Sequence, residues 1–196
     1  MKQLITNIYP IAELSEQQIE KAHEKWVEFV EFQEFTDDFI IDDIKAIGKA
    51  IGIHIDKIHY SGFYNQGDGA WFEGTYQFNP NWKADLEAYA PIELVVKTLA
   101  ESLVSIYNTN KLTAVVKQGH TYYCNSSSAD IIVSSPDEDD IDTFESRSLT
   151  MYLRSFMNWM YRHIEKEYEY QTSLENFKQV AEANDYHFDE NGNLRG

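Results

Sequence analysis

The sequence predicts an α+β protein: an antiparallel sheet of about four strands packed with helices, with helical segments at both ends. Three observations carry that expectation. Ahead of Ile53, apolar residues recur every three or four positions, the period of a helix face. Between Ile53 and Ser135 the period changes to two in four short runs, with one apolar helical run inserted among them. From Thr143 the helical period returns and holds almost to the C-terminus. The 196 residues, 43% of them hydrophobic, suffice for a single domain with a substantial core. Its expected segments are 1–52 (helical), 53–135 (sheet with one inserted helix) and 136–196 (helical).

Each element has a local reason. Ser15 and Gln18 have capping-box spacing ahead of IEKAHEKWVEFVEF, whose Ile19, Ala22, His23, Trp26 and Val30 share one face. Thr36 is placed to cap DDFIIDDIKAIGKAI, with Ile40, Ile44, Ile47 and Ile51 on one side and Gly52 to end it. IHIDKIHYSGFY and AWFEGTYQF then read as the two strands of a hairpin. Pro91 suits the first position of the next helix, PIELVVKTLAESLVSIYNTN, which should end near Asn108 or Asn110. LTAVVKQG and TYYCNSSSADIIVSS are two further strands joined at Gln118–Gly119, the second with a break at Ser126–Ser128. The longest helix, TFESRSLTMYLRSFMNWMYRHIEKEYEY, carries an apolar stripe of Leu149, Leu153, Phe156, Met160 and Ile164. Thr172 with Glu175 repeats the capping-box spacing before LENFKQVAEAND, and Asn191–Gly192 marks a closing turn.

Thirty-three acidic residues against 16 lysines and arginines give a formal charge of −17. A field of that sign repels phosphate backbones, so direct nucleic-acid binding is not expected. The same field attracts a basic surface on another macromolecule. The one cysteine, Cys124, excludes an intrachain disulfide and a four-cysteine zinc site. No apolar run approaches the roughly 20 residues needed to cross a bilayer. The N-terminal residues lack a signal-peptide pattern. No membrane association is expected, and an unpaired thiol fits a soluble, cytoplasmic protein.

The stretch SGFYNQGDGAWFEG, Ser61–Gly74, reads either as a ligand loop or as a hairpin turn. A phosphate loop needs consecutive N–H groups opening a helix, whereas a strand follows here. A Ca²⁺ loop needs several oxygen ligands at alternating positions, and only Asp68 qualifies. A turn accounts for the residues better: Gly67 and Gly69 permit positive φ, and Asp68 can bond the nearby backbone. Gly62 and Gly74 would then mark bulges or close contacts. Tyr64, Asp68 and Trp71 are candidate partner-binding residues, with Tyr64 and Trp71 as exposed aromatic anchors. His54 and His59, five apart in one strand, should face opposite sides. No nucleophile elbow or metalloprotease histidine pair occurs. No catalytic residue, cofactor or metal is therefore assigned. An alternative brings His120, Cys124 and Asp130 together as a thiol–imidazole pair or zinc site of a small metal-dependent enzyme.

The carboxylates are the stronger lead. Glu20, Glu24, Glu28 and Glu31 fall on one stripe of the first helix. Each four-residue step advances about 6 Å, close to the spacing of successive phosphates on a strand. Asp37, Asp38, Asp42 and Asp43 form a second group, and Asp137 to Asp142 with Glu145 a third. Such groups act either as a solvated surface or as a mimic of nucleic-acid charge.

The motifs YSGFYNQGDGAWFEG, KQGHTYYC and IEKEYEYQTS, with the closing ANDYHFDENGNLR, resemble a family of small acidic proteins encoded by phages and prophages. The resemblance runs from about Ile58 to Leu194. It implies a phage accessory protein, acting in the cytoplasm of an infected bacterial host by disabling a defence system. Cys124 stands where members of that family carry a histidine. On this reading the partner is a host defence protein or nucleoprotein complex with a basic groove, bound without enzymatic chemistry, as in anti-CRISPR or antirestriction inhibition. The alternative partner is a toxin neutralised by an antitoxin. A homodimer through the long helix is compatible with each.

Overall fold

The computed structural model describes residues 7–32, 38–91, 93–120 and 123–195. In chain order the elements are β1 (Tyr9–Pro10), a 3₁₀ turn (Ile11–Glu13), α1 (Glu16–Phe32), α2 (Asp38–Ala50), β2 (Ile53–Tyr60), β3 (Ala70–Tyr76), α3 (Trp82–Tyr89), α4 (Leu94–Asn110), β4 (Thr113–Gln118), β5 (Ala129–Ser134), α5 (Phe144–Gln171), α6 (Leu174–Ala183) and β6 (His187–Phe188). The α+β class and the four-stranded antiparallel sheet are as expected. The chain divides into two compact units, Met1–Asp37 with Lys166–Gly196, and Asp38–Glu165. Those limits differ from the expected segments at 52 and 135, because the two ends of the chain pair with each other.

In the terminal unit β1 runs antiparallel to β6, Tyr9 opposite Phe188. Ile11, Leu14, Ala22, Phe177, Ala181 and Phe188 form its core. The Phe177 ring lies 5.7 Å from His23, 5.9 Å from Trp26 and 5.8 Å from Phe188. His23 Nε2 is 2.7 Å from the Thr172 carbonyl, and Trp26 Nε1 donates to that of Gln171. Half of the expected capping box forms at α1: the Ser15 N–H donates to Gln18 Oε1 at 2.9 Å. At α6 the cap falls one residue later than Thr172. Ser173 Oγ accepts from the Asn176 N–H, while Thr172 Oγ1 donates back to Tyr168. The Thr36 cap expected for α2 lies outside the described residues.

The central unit is built on the sheet β2-β3-β4-β5. Its inner face is made of registered rows: Ile53, Tyr76, Ala114 and Val133 in one, Ile55, Gly74, Val116 and Ile131 in the next. Helices α2 and α5 cover that face, with Phe72 meeting Phe156 edge-on at 6.2 Å and Gly48 tight against Ile53 and Phe156. The stripe Leu149, Leu153, Phe156, Met160 and Ile164 is wholly buried, as its spacing predicted. One helix, α3, was not foreseen, although Trp82 and Leu86 are buried one turn apart. Pro91 does not open α4. It sits in a turn, and α4 begins at Leu94.

A β-bulge between Ile55 and Lys57 corrects another expectation. The extra residue restores Ile58 to the inner row opposite Phe72, and it shifts the parity of everything after it. His54 opposes Thr75 and His59 opposes Trp71, so the two histidines share the outer face. Four β3 positions separate their partners, about 13 Å, so they still form no joint site.

Candidate functional site: the acidic helix face and the aromatic loop

The β2–β3 connection is a nine-residue loop, Ser61–Gly69, closed by the Ser61 N–H donating to the Gly69 carbonyl. Asp68 organises it. One carboxylate oxygen accepts from the N–H groups of Tyr64 (3.1 Å) and Asn65 (2.7 Å), the other from Ser61 Oγ (3.2 Å). The Asp68 carboxylate is therefore engaged inside the loop, which argues for structure rather than partner contact. Gly67 has φ +96°, and a side chain there would strike the Tyr123 ring. Gly69 does not take positive φ. It is needed for close approach, since a Cβ there would lie 2.6 Å from that of Asn125. The loop thus packs against the β4–β5 connection. From α5, Tyr161 donates to the Gly62 carbonyl at 2.9 Å and stacks on Phe63. Burial, with Glu165 and Asp68 nearby, pushes the Tyr161 phenol up to about 12, so it stays a donor at neutral pH.

The two proposed anchors separate. Tyr64 is 76% exposed. Trp71 is only 4% exposed, the reverse of the expectation. Its indole stacks on His59 at 4.1 Å, and His59 Nε2 lies 2.6 Å from Glu73 Oε1. The expectation for Trp71 fails because Cys124, remote in sequence, lies against its indole, and hydrophobicity alone does not say which side of β3 is covered.

Cys124 does not have the environment of a nucleophile. Burial pushes its thiol above the ordinary value, only partly offset by hydrogen bonds with Ser61 and Trp71. The reactive thiolate is correspondingly scarce. Among the described residues no group of three or more His, Cys, Asp and Glu side chains could hold a metal ion, so His120, Cys124 and Asp130 do not converge as a ligand set. A cleft of about 620 Å³ beside α2 and α3 includes Lys49, His54, Asp85 and Tyr89. There Asn79 Nδ2 donates to the Ala50 carbonyl and to Asp85 Oδ2, which ties its wall together.

Glu20, Glu24 and Glu28 are exposed along one face of α1. Among the described residues none of them is in an ion pair. Lys25, the nearest basic neighbour in sequence to Glu24, has its Nζ on the Asn191 carbonyl and Asn193 Oδ1, at 2.7 and 2.6 Å. The Glu31 side chain and the whole of Asp37 lie outside the described residues. Asp38 and Asp42 are exposed. Asp43 is half-buried: its Oδ2 is 3.8 Å from His163 Nε2, and it accepts a hydrogen bond from Tyr89, raising the Tyr89 pKa. It is a packing contact more than a member of an open acidic face. The two groups also belong to different units, α1 to the terminal one and Asp38, Asp42 and Asp43 to the central one. In the third group Asp137 to Asp140 are exposed, while Asp142 pairs in a fork with Arg147, which lowers its pKa.

Residues 37–174 match the family described as a domain of unknown function, DUF8835. The chain belongs to that family. No curated protein and no solved structure matches it. The matched stretch takes in the whole central unit, including the Ser61–Gly69 loop, and excludes Glu20, Glu24 and Glu28.

Proposed function

We propose that the chain is a protein-binding inhibitor whose acidic α1 face docks on a basic groove of another macromolecule. One observation carries this: Glu20, Glu24 and Glu28 stand exposed one turn apart, with no ion pair among the described residues, in a chain of charge −17. Long-range attraction from such a face speeds encounter with a cationic surface and makes the association salt-dependent. Tyr64, exposed at the loop tip, supplies a separate aromatic contact of the kind that slows dissociation. The resemblance to phage and prophage proteins supports a host defence component as the partner, with the charge pattern standing in for nucleic acid.

The test is phage plating on a defence-proficient bacterial host expressing the chain. Expression raises plating, and the triple variant Glu20→Gln, Glu24→Gln, Glu28→Gln loses about tenfold or more of that gain. Undiminished protection by a folded triple variant would remove the charge argument.

A further inference from the structure

The acidic balance of the chain hides one cationic site in the central unit. A pocket of about 420 Å³ lies between α5 and the β4–β5 connection, its wall formed by Met151 and the polar residues Ser126, Arg147, Thr150, Arg154, Ser155 and Asn158. The helical period explains its composition. Thr150, Arg154 and Asn158 are four apart and share one flank of α5, and Arg147 lies one turn before Thr150. The adjacent stripe of Leu149, Leu153, Phe156 and Met160 is fully buried and fixes the rotation of the helix, so this flank cannot turn away.

Arg154 is the informative residue. Arg154 is half-buried, and among the described residues its buried Nε has no hydrogen-bond partner and its guanidinium takes part in no ion pair. Arginine stays charged at any accessible pH, so burial cannot neutralise it as it would a lysine. A buried N–H on a charged guanidinium costs free energy while it lacks a partner, and a bound anion relieves that cost. Arg147 already holds Asp142 at 2.7 and 2.8 Å, which leaves Arg154 as the uncompensated charge. The hydroxyls of Ser126 and Thr150 and the amide of Asn158 make no hydrogen bond among the described residues, whereas Ser155 Oγ donates to Met151 and only forms wall.

We infer that this pocket binds a phosphate group, free or as a monoester. The donor set decides between anions. A planar carboxylate that takes the guanidinium fork keeps one lone pair on each of its two oxygens, fewer than the three further donor groups of Ser126, Thr150 and Asn158. A tetrahedral phosphate takes the fork on one edge and keeps oxygens for Ser126, Thr150 and Asn158. The volume leaves room for the alcohol portion of an ester. The site is independent of the α1 face and stands or falls separately from it.

The experiment titrates inorganic phosphate and phosphoserine into the full chain at constant ionic strength, read by calorimetry and by amide shifts of residues 126 and 150–158. Saturable binding is expected, with a dissociation constant on the order of 1 mM or below. Arg154→Met weakens it more than about tenfold, and Arg154→Lys restores part of the loss. Phosphoserine binding more tightly than phosphate assigns the site to an ester, and the reverse order assigns it to the free ion. No saturation up to about 10 mM, equal binding of acetate, or undiminished binding by folded Arg154→Met overturns the proposal. Should Arg154→Met fail to fold, Ser126→Ala decides: a several-fold loss supports the site, and unchanged binding overturns it.

Discussion

Single carboxylates in this molecule divide into organisers and surface charges, and contact geometry separates them. Asp68 holds its own loop. Asp189 does the same for the closing turn, where it accepts from the N–H groups of Asn191 and Asn193, the Asn193 amide and the Arg195 guanidinium. Those bonds, led by Asn193, hold its pKa well below the usual carboxylate range. The folded value lies below the unfolded one, so the stabilisation is complete above the usual pKa of about 4 and is lost as pH falls through the folded value. Asp189→Asn should therefore lower Tm at pH 7, and the gap to the parent should shrink as pH drops below about 4. Thermal melts from pH 7 to pH 2 check this, and a gap that does not shrink would contradict it. Nothing in DENGNLR distinguishes Asp189 from Glu190 as the bonded acid; the φ +76° turn at Gly192 decides that by presenting the Asn191 and Asn193 amides.

At the scale of elements, α5 shows how periodicity becomes packing. Its stripe was legible because burial on one helix face requires three- and four-residue spacing whatever the partner is. Phe156 is the central contact, meeting Phe72 from the sheet and lying 5.2 Å from the Trp159 ring. Phe156→Ala should cost about 3–5 kcal/mol in denaturant unfolding. A loss below about 1 kcal/mol would mean that this face is not closely packed. Strand faces were less legible. The β2 alternation predicts opposite faces for His54 and His59, but one bulge residue reverses the parity of everything after it. The bulge lies beside the Ile55–Gly74 pair, so it is marked by Gly74 on the partner strand and by nothing in the β2 residues themselves. Two helix starts fail for a related reason: Pro91 suits a first helical position and Thr172 a cap, but Pro91 sits in a turn ahead of α4 and Ser173 takes the cap of α6.

For the molecule as a whole, the dominant quantity is the charge of −17. Self-repulsion of that size acts over about 30 Å at 10 mM salt and about 8 Å at 150 mM. Raising NaCl across that range should raise Tm by about 2–4 °C, which differential scanning calorimetry would measure. A flat or falling Tm would show that the acidic groups are locally compensated.

Composition and period, which belong to the chain itself, determined the α+β class, the buried stripe of α5, the acidic character and the place of the β2–β3 loop. Folding alone decided that Trp71 is covered, that Asp43 meets His163 and Tyr89, and that the two chain ends share one unit. It also decided that Arg154 Nε is left without a partner among the described residues, in a pocket shared with Ser126. The physical reason is range: periodicity and charge sum over neighbours in sequence, whereas cover, register and unsatisfied donors depend on residues brought together from distant parts of the chain.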